Sequence, residues 1–134
     1  MKLPVVGVLA LQGGFSNHLR ALRELGAEGR EVRVPEQLEG LDALVLPGGE
    51  STTMTLGIQR EELAEPIAEF VRSGRPVLAT CAGTILLDDA HLRLLDFACE
   101  RNAYGAQTHS FEGPVTLAGE RKFPGVFIRA PKII

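Results

Sequence analysis

Apolar positions along the chain fall into short continuous runs, separated by glycine-rich turns and by stretches where they recur three or four apart. Residues 4–11, Pro-Val-Val-Gly-Val-Leu-Ala-Leu, are apolar throughout and too short for a helix of their own, which predicts a fully buried strand. Gln12-Gly13-Gly14 is then a turn. Phe15, Leu19, Leu22 and Leu25 follow on one helical face, with Gly26 as the stop. Glu31-Val32-Arg33-Val34 reads as a short strand, Pro35 to Gly40 as a connection with room for one helical turn, and Leu41 to Leu46 as the next buried strand. Pro47-Gly48-Gly49-Glu50-Ser51-Thr52-Thr53 ends that strand. A helix is predicted near 62–73, with Pro66 in its first turn and Leu63, Ile67, Phe70 and Val71 facing inward. Gly74-Arg75-Pro76 closes it and opens the run 77–87.

Strands alternating with helices across short turns predict an α/β fold in three layers, a mostly parallel sheet flanked by helices. The pattern changes after Leu87. Residues 95–100, 114–118 and 124–129 look like strands with no clear helix between them, which predicts an antiparallel extension or edge.

The 134 residues suit a single domain with a real core. A net charge of −3, with no Lys/Arg run, argues against nucleic acid or an anionic membrane as partner. No apolar stretch approaches the ~20 residues of a membrane span. No export signal is visible at Met1-Lys2, and two cysteines make no disulfide framework, so a cytoplasmic location is expected.

The run 77–87, Val-Leu-Ala-Thr-Cys-Ala-Gly-Thr-Ile-Leu-Leu, carries the candidate chemistry. Its pattern is a strand, a tight turn at Cys81, and a buried helix. A cysteine there faces the first amides of the helix, which stabilise negative charge and can hold an oxyanion. The alternative is an inert cysteine packed in a β–α turn. In a parallel sheet the strand C-termini share one edge, where ligands bind. That edge collects Gln12-Gly13-Gly14, Gly48-Gly49-Glu50-Ser51 and Cys81-Ala82-Gly83. Gly48-Gly49 lets backbone amides approach a ligand, and Ser51 can cap a following helix. A tight turn with a cap is the plainer account of the same loop. The P-loop spacing with its lysine and the G-x-G-x-x-G spacing are both missing, so no nucleotide is expected. No Cys/His cluster has metal-ligand spacing, and neither metal nor cofactor is expected.

A thiolate beside two amide-rich loops suits acyl transfer through a thioester, which needs a general base. Of the three histidines, His18 is expected to pack partly against the first helix, His91 to be solvated in a loop, and His109 to lie in a loop. None is favoured as the base.

Leu11-Gln12-Gly13, Leu46-Pro47-Gly48-Gly49-Glu50-Ser51-Thr52-Thr53, Thr80-Cys81-Ala82-Gly83, Glu100-Arg101-Asn102 and Val126-Phe127-Ile128-Arg129-Ala130-Pro131 occur together in one known family, in this order and at similar spacing. The chain resembles the glutaminase subunits of pyridoxal 5′-phosphate synthase, which are class I (triad) glutamine amidotransferases of flavodoxin-like fold. The resemblance runs over nearly the whole chain. It implies hydrolysis of L-glutamine to glutamate and ammonia, and transfer of the ammonia to a separate barrel-shaped synthase subunit. Cys81 matches the nucleophile. Gly49, Glu50 and Ser51 match the loop that grips glutamine, with the Gly49 and Ala82 amides as the oxyanion hole. Arg101, Ile128 and Arg129 match the remaining glutamine contacts, and guanidinium groups suit a substrate carboxylate. Without the resemblance, Arg101 reads as a strand-end salt bridge, Arg129 as an edge charge and Glu50 as a helix-start carboxylate.

The sequence departs from the family pattern in places. The family's Ser-Phe-His-Pro-Glu stretch, which holds the triad histidine and glutamate, would lie beyond Ile134, so the amidotransferase domain of residues 1–134 is expected to be incomplete at its C-terminus and barely active alone. The segment between Leu87 and His91 is shorter than the pattern. Ala79 replaces a glycine, and Gly14, Ser16, Asn17 and Ala106 replace charged residues. A catalytically silent α/β module that docks on the synthase is the alternative from another class, and a cysteine hydrolase of small carbonyl compounds is a third.

Overall fold

A computed structural model of the chain describes residues 2–100, 103–127 and 132–134. It forms two compact units, Met1–Asp96 and Phe97–Ile134. In the first, β1 (Val5–Leu9), α1 (Phe15–Glu24), β2 (Glu28–Val32), β3 (Ala43–Leu46), α2 (Ser51–Arg60), α3 (Ala64–Arg72), β4 (Val77–Ala79) and α4 (Ala82–Leu86) follow in order. The four strands form one parallel sheet in the order β2-β1-β3-β4. The chain steps outward from β1 to β2, then crosses back to β3, so its direction of winding switches between β1 and β3. Their C-terminal ends open a crevice at that point.

The apolar runs carry the core. Val8, Leu9, Leu44 and Leu46 of the central strands are almost fully buried, as are Met54 and Ile58 of α2 and Ile67 and Phe70 of α3. Each such side chain contributes about 1.5–3 kcal/mol by leaving water.

Several elements differ from the sequence pattern, each for a packing reason. β2 begins at Glu28 rather than Glu31, because its backbone pairs with β1 along five residues whatever the side chains. It lies at the sheet edge, where charges are tolerated, and Arg30 pairs with Glu28 and Arg33 with Glu31. Leu25 does not join the apolar face of α1. It is the C-cap residue, carried past the last turn as the chain reverses at Gly26 (φ 82°), and is 82% exposed. Helix α2 had no periodic signature of its own, since Thr52, Thr53, Thr55 and Gln59 interrupt its apolar positions. β4 is the other edge of the described sheet, so Leu78 is exposed although it sits in an apolar run.

The second unit is antiparallel, as expected, but the strand expected over 95–100 is confined to Cys99–Glu100, and those expected over 114–118 and 124–129 begin earlier, at Phe111 and Lys122. β5 (Cys99–Glu100) pairs with β8 (Lys132–Ile133), and β6 (Phe111–Thr116) with β7 (Lys122–Phe127). The β6–β7 hairpin turns through Gly119 (φ 76°), with the Leu117 amide donating to the Arg121 carbonyl. Among the described residues no helix is long and apolar enough to cross a membrane.

Candidate active site

Cys81 joins β4 to α4 with φ 48° and ψ −115°. Such a conformation costs a non-glycine residue about 1–3 kcal/mol and persists only where its surroundings over-determine it. Here they do. The Thr80 amide donates to the Leu46 carbonyl (3.0 Å), the Gly83 amide to the Thr80 carbonyl (2.8 Å) and the Thr84 amide to the Cys81 carbonyl (2.9 Å). Thr84 Oγ1 closes the turn by donating to the Ala79 carbonyl at 3.2 Å. Gly83 has to be glycine for steric reasons, since a Cβ there would overlap the Leu46 carbonyl oxygen. The result is a strand-to-helix elbow with an exposed cysteine at its tip.

The diglycine bend lies against this elbow. A Cβ built on Gly48 would stand 3.3 Å from Cys81 Cβ, so the bend and the sulfur-bearing carbon are in near contact. The bend is itself fastened to the turn after β1. The Gly14 amide donates to the Gly48 carbonyl (3.0 Å), and the Glu50 amide donates to Gln12 Oε1 (2.8 Å). Cβ atoms on Gly13 and Gly49 would collide with the Gly48 carbonyl oxygen and with Gln12 Oε1, which is why both positions lack one. Gly13 also needs its positive φ of 91°.

The remaining candidates of this edge occupy distinct places. Glu50, not Ser51, caps α2: its carboxylate accepts from the Thr52 and Thr53 amides (3.2 and 2.7 Å) and from Thr53 Oγ1 (3.0 Å). An extended Glu50 backbone gives its longer side chain the reach that Ser51, already helical, lacks. Ser51 is buried in the first turn, and its carbonyl accepts from Thr55 Oγ1. Ala82 is buried at the start of α4. Among the described residues its amide, unlike those of Gly83 and Thr84, is not committed to a carbonyl of the turn. Arg101, Ile128 and Arg129 lie outside the described residues.

No histidine is hydrogen-bonded to Cys81 among the described residues. His18, half-buried on α1 as its spacing predicted, reaches Thr80 Oγ1 with Nε2 at 3.4 Å. His91 is not solvated: Nδ1 lies 2.5 Å from Oδ1 of Asp88, which is buried and also accepts from the Ala90 amide. His109 is exposed in a short 3-10 turn over 107–109. Two polar side chains that hold the site, Gln12 and Thr80, stand in the sequence motifs without an assigned role. Their signal is position alone, before Gly13-Gly14 and before the cysteine.

A parallel sheet with a diglycine loop after β3 and a cysteine elbow after β4, side by side at its C-terminal edge, defines a class of α/β proteins with a nucleophile elbow. The model of the SNO glutamine amidotransferase family matches residues 8–134, and the chain belongs to this family. A protein named pyridoxal 5′-phosphate synthase subunit PdxT from Geobacillus kaustophilus is 51% identical over 137 residues, covering 96% of this chain and 70% of its own length. The protein of the same name from Bacillus licheniformis is 47% identical with the same coverage. A solved structure described as a glutamine amidotransferase superposes with a TM-score of 0.84 at 44% identity, over 94% of this chain and 71% of that one.

Proposed function

We propose that this chain is the glutaminase component of a pyridoxal 5′-phosphate synthase, hydrolysing L-glutamine to glutamate and ammonia. The names of its relatives support this reading, and one observation carries it: the apposition of Gly48, after β3, and the Cys81 elbow, after β4, at the C-terminal edge of the sheet. The Cys81 sulfur attacks the side-chain amide carbon of glutamine. The proton lost by the thiol passes to the amide nitrogen, the C–N bond breaks and ammonia leaves, and water then cleaves the thioester to glutamate and the free thiol. The Gly49 and Ala82 amides hold the oxyanion in both steps. By the family resemblance Arg101, Ile128 and Arg129 match the remaining glutamine contacts, guanidinium groups suiting a carboxylate, and Glu50 and Ser51 match the gripping loop. In the family pattern the triad base is a histidine, oriented by glutamate, in a Ser-Phe-His-Pro-Glu stretch that these 134 residues do not contain.

Ammonia is useful only if it reaches its acceptor before it is protonated and lost, so the chain docks on a barrel-shaped synthase subunit in the cytoplasm. The family match runs from residue 8 to 134 through both compact units, which supports a single amidotransferase domain.

A chloroketone analogue of glutamine tests the reading by intact mass and peptide mapping. One adduct on Cys81, suppressed by free glutamine, is expected. Equal labelling of Cys81 and Cys99, or labelling that glutamine does not slow, overturns it.

A further inference from the structure

We propose that His18 is a positioning residue for the Cys81 elbow, acting through the Thr80 hydroxyl. The inference deepens the glutaminase reading and rests on it, since the group positioned is the nucleophile of that reaction. His18 Nε2 lies 3.4 Å from Thr80 Oγ1, a hydrogen bond that spans 62 residues and ties α1 to the residue before the cysteine. Thr80 has no other polar freedom. Its amide is held by the Leu46 carbonyl and its carbonyl by the Gly83 amide, so Oγ1 is the group through which a neighbour can act. Threonine is β-branched, and fixing Oγ1 also fixes its methyl group.

The elbow needs such a tie. Cys81 sits at φ 48°, and each bond that over-determines the turn opposes relaxation to a lower-energy backbone. The other bonds of the turn come from β3, β4 and α4. His18 supplies the one from α1, the helix whose leading turn also holds the Gly48 carbonyl. One helix therefore fixes both sides of the reaction site, the diglycine bend through Gly14 and the nucleophile through His18. Loss of the His18–Thr80 bond lets the elbow relax and carries Sγ away from Gly48.

The test compares wild type, His18→Ala, Thr80→Val, the double variant and His18→Gln. Two rates at Cys81 are measured, with iodoacetamide and with the glutamine chloroketone, alongside the thermal midpoint. Each single variant is expected to slow both labellings by roughly five-fold, the size of one hydrogen bond. The double variant should be no slower than either single, and His18→Gln should recover most of the rate because its amide reaches the place of Nε2. A rate unchanged in His18→Ala, additive losses in the double variant, or failure of His18→Gln to recover would overturn the proposal. Should the alanine variant lack a cooperative transition, Thr80→Val and His18→Gln carry the comparison. Failure of glutamine to protect wild-type Cys81 would sink the glutaminase reading, whereas the iodoacetamide rates report on the His18–Thr80 coupling independently.

Discussion

Gln12 Oε1 accepts the backbone amide of Glu50 at 2.8 Å, joining the turn after β1 to the loop after β3 across 38 residues of sequence. With the Gly14–Gly48 bond it makes the two turns one rigid ledge beside Cys81. Gln12→Ala removes the acceptor while water can still reach the Glu50 amide, so the stability loss should stay within about 1 kcal/mol. The chloroketone rate at Cys81 should fall about ten-fold, because the Gly49 amide loses its support, a loss of roughly 1.4 kcal/mol in barrier terms. Gln12→Glu keeps an acceptor oxygen and should lose less. Labelling kinetics beside thermal melts check both statements.

Glu50 caps α2 and is also proposed to grip the substrate, and the two roles separate on substitution. Glu50→Ala should cost about 1 kcal/mol of stability through loss of the cap. Glu50→Gln retains an acceptor for the Thr52 and Thr53 amides but no charge, so its thermal midpoint should stay closer to wild type than that of Glu50→Ala. Glutamine should nevertheless protect its Cys81 less well. If Glu50→Gln matches wild type in both measurements, the carboxylate is only a cap.

Two glycines of the site should respond in opposite ways. The Cβ of Gly83→Ala would overlap the Leu46 carbonyl oxygen, a strand backbone atom that cannot move alone, so a destabilisation of about 3 kcal/mol or more is expected. In Gly48→Ala the new atom meets Cys81 Cβ at 3.3 Å, close but able to give by a few tenths of an ångström. That variant should fold with a midpoint near wild type and be labelled several-fold more slowly at Cys81.

Asp88 and His91 make an asymmetric pair, the carboxylate buried and the imidazole about one-fifth exposed. Among the described residues, His91→Ala leaves the buried carboxylate with only the Ala90 amide and should cost about 2–3 kcal/mol. Asp88→Ala removes the charge itself and should cost less. The double variant should lose less than the two singles summed, by at least about 0.5 kcal/mol. Urea melts of the four proteins give the cycle, and additive losses would mean that the pair does not close this turn.

The sequence itself determined the α/β layering, the buried central strands and the cysteine at a strand-to-helix turn. Each of these is written in local hydrophobic period and turn chemistry: 4–11 is apolar throughout, 41–46 is broken only by Asp42, and glycine flanks each turn at the sheet edge. Family membership was legible for the same reason, because P-G-G-E-S-T-T and T-C-A-G are contiguous motifs. Tertiary structure alone decided which strands became edges, and so why Leu78 is exposed and β2 could begin among charged residues. It also decided that Glu50 rather than Ser51 caps α2, that Gln12 holds the diglycine loop, that His91 is drawn onto buried Asp88, and that His18 reaches Thr80. Gln12–Glu50 and His18–Thr80 join residues far apart in the chain, and the first arises only once the crossover from β2 to β3 brings two turns to one edge of the sheet. The Glu50 cap and the Asp88–His91 pair are local choices of reach and burial that no hydrophobic period encodes.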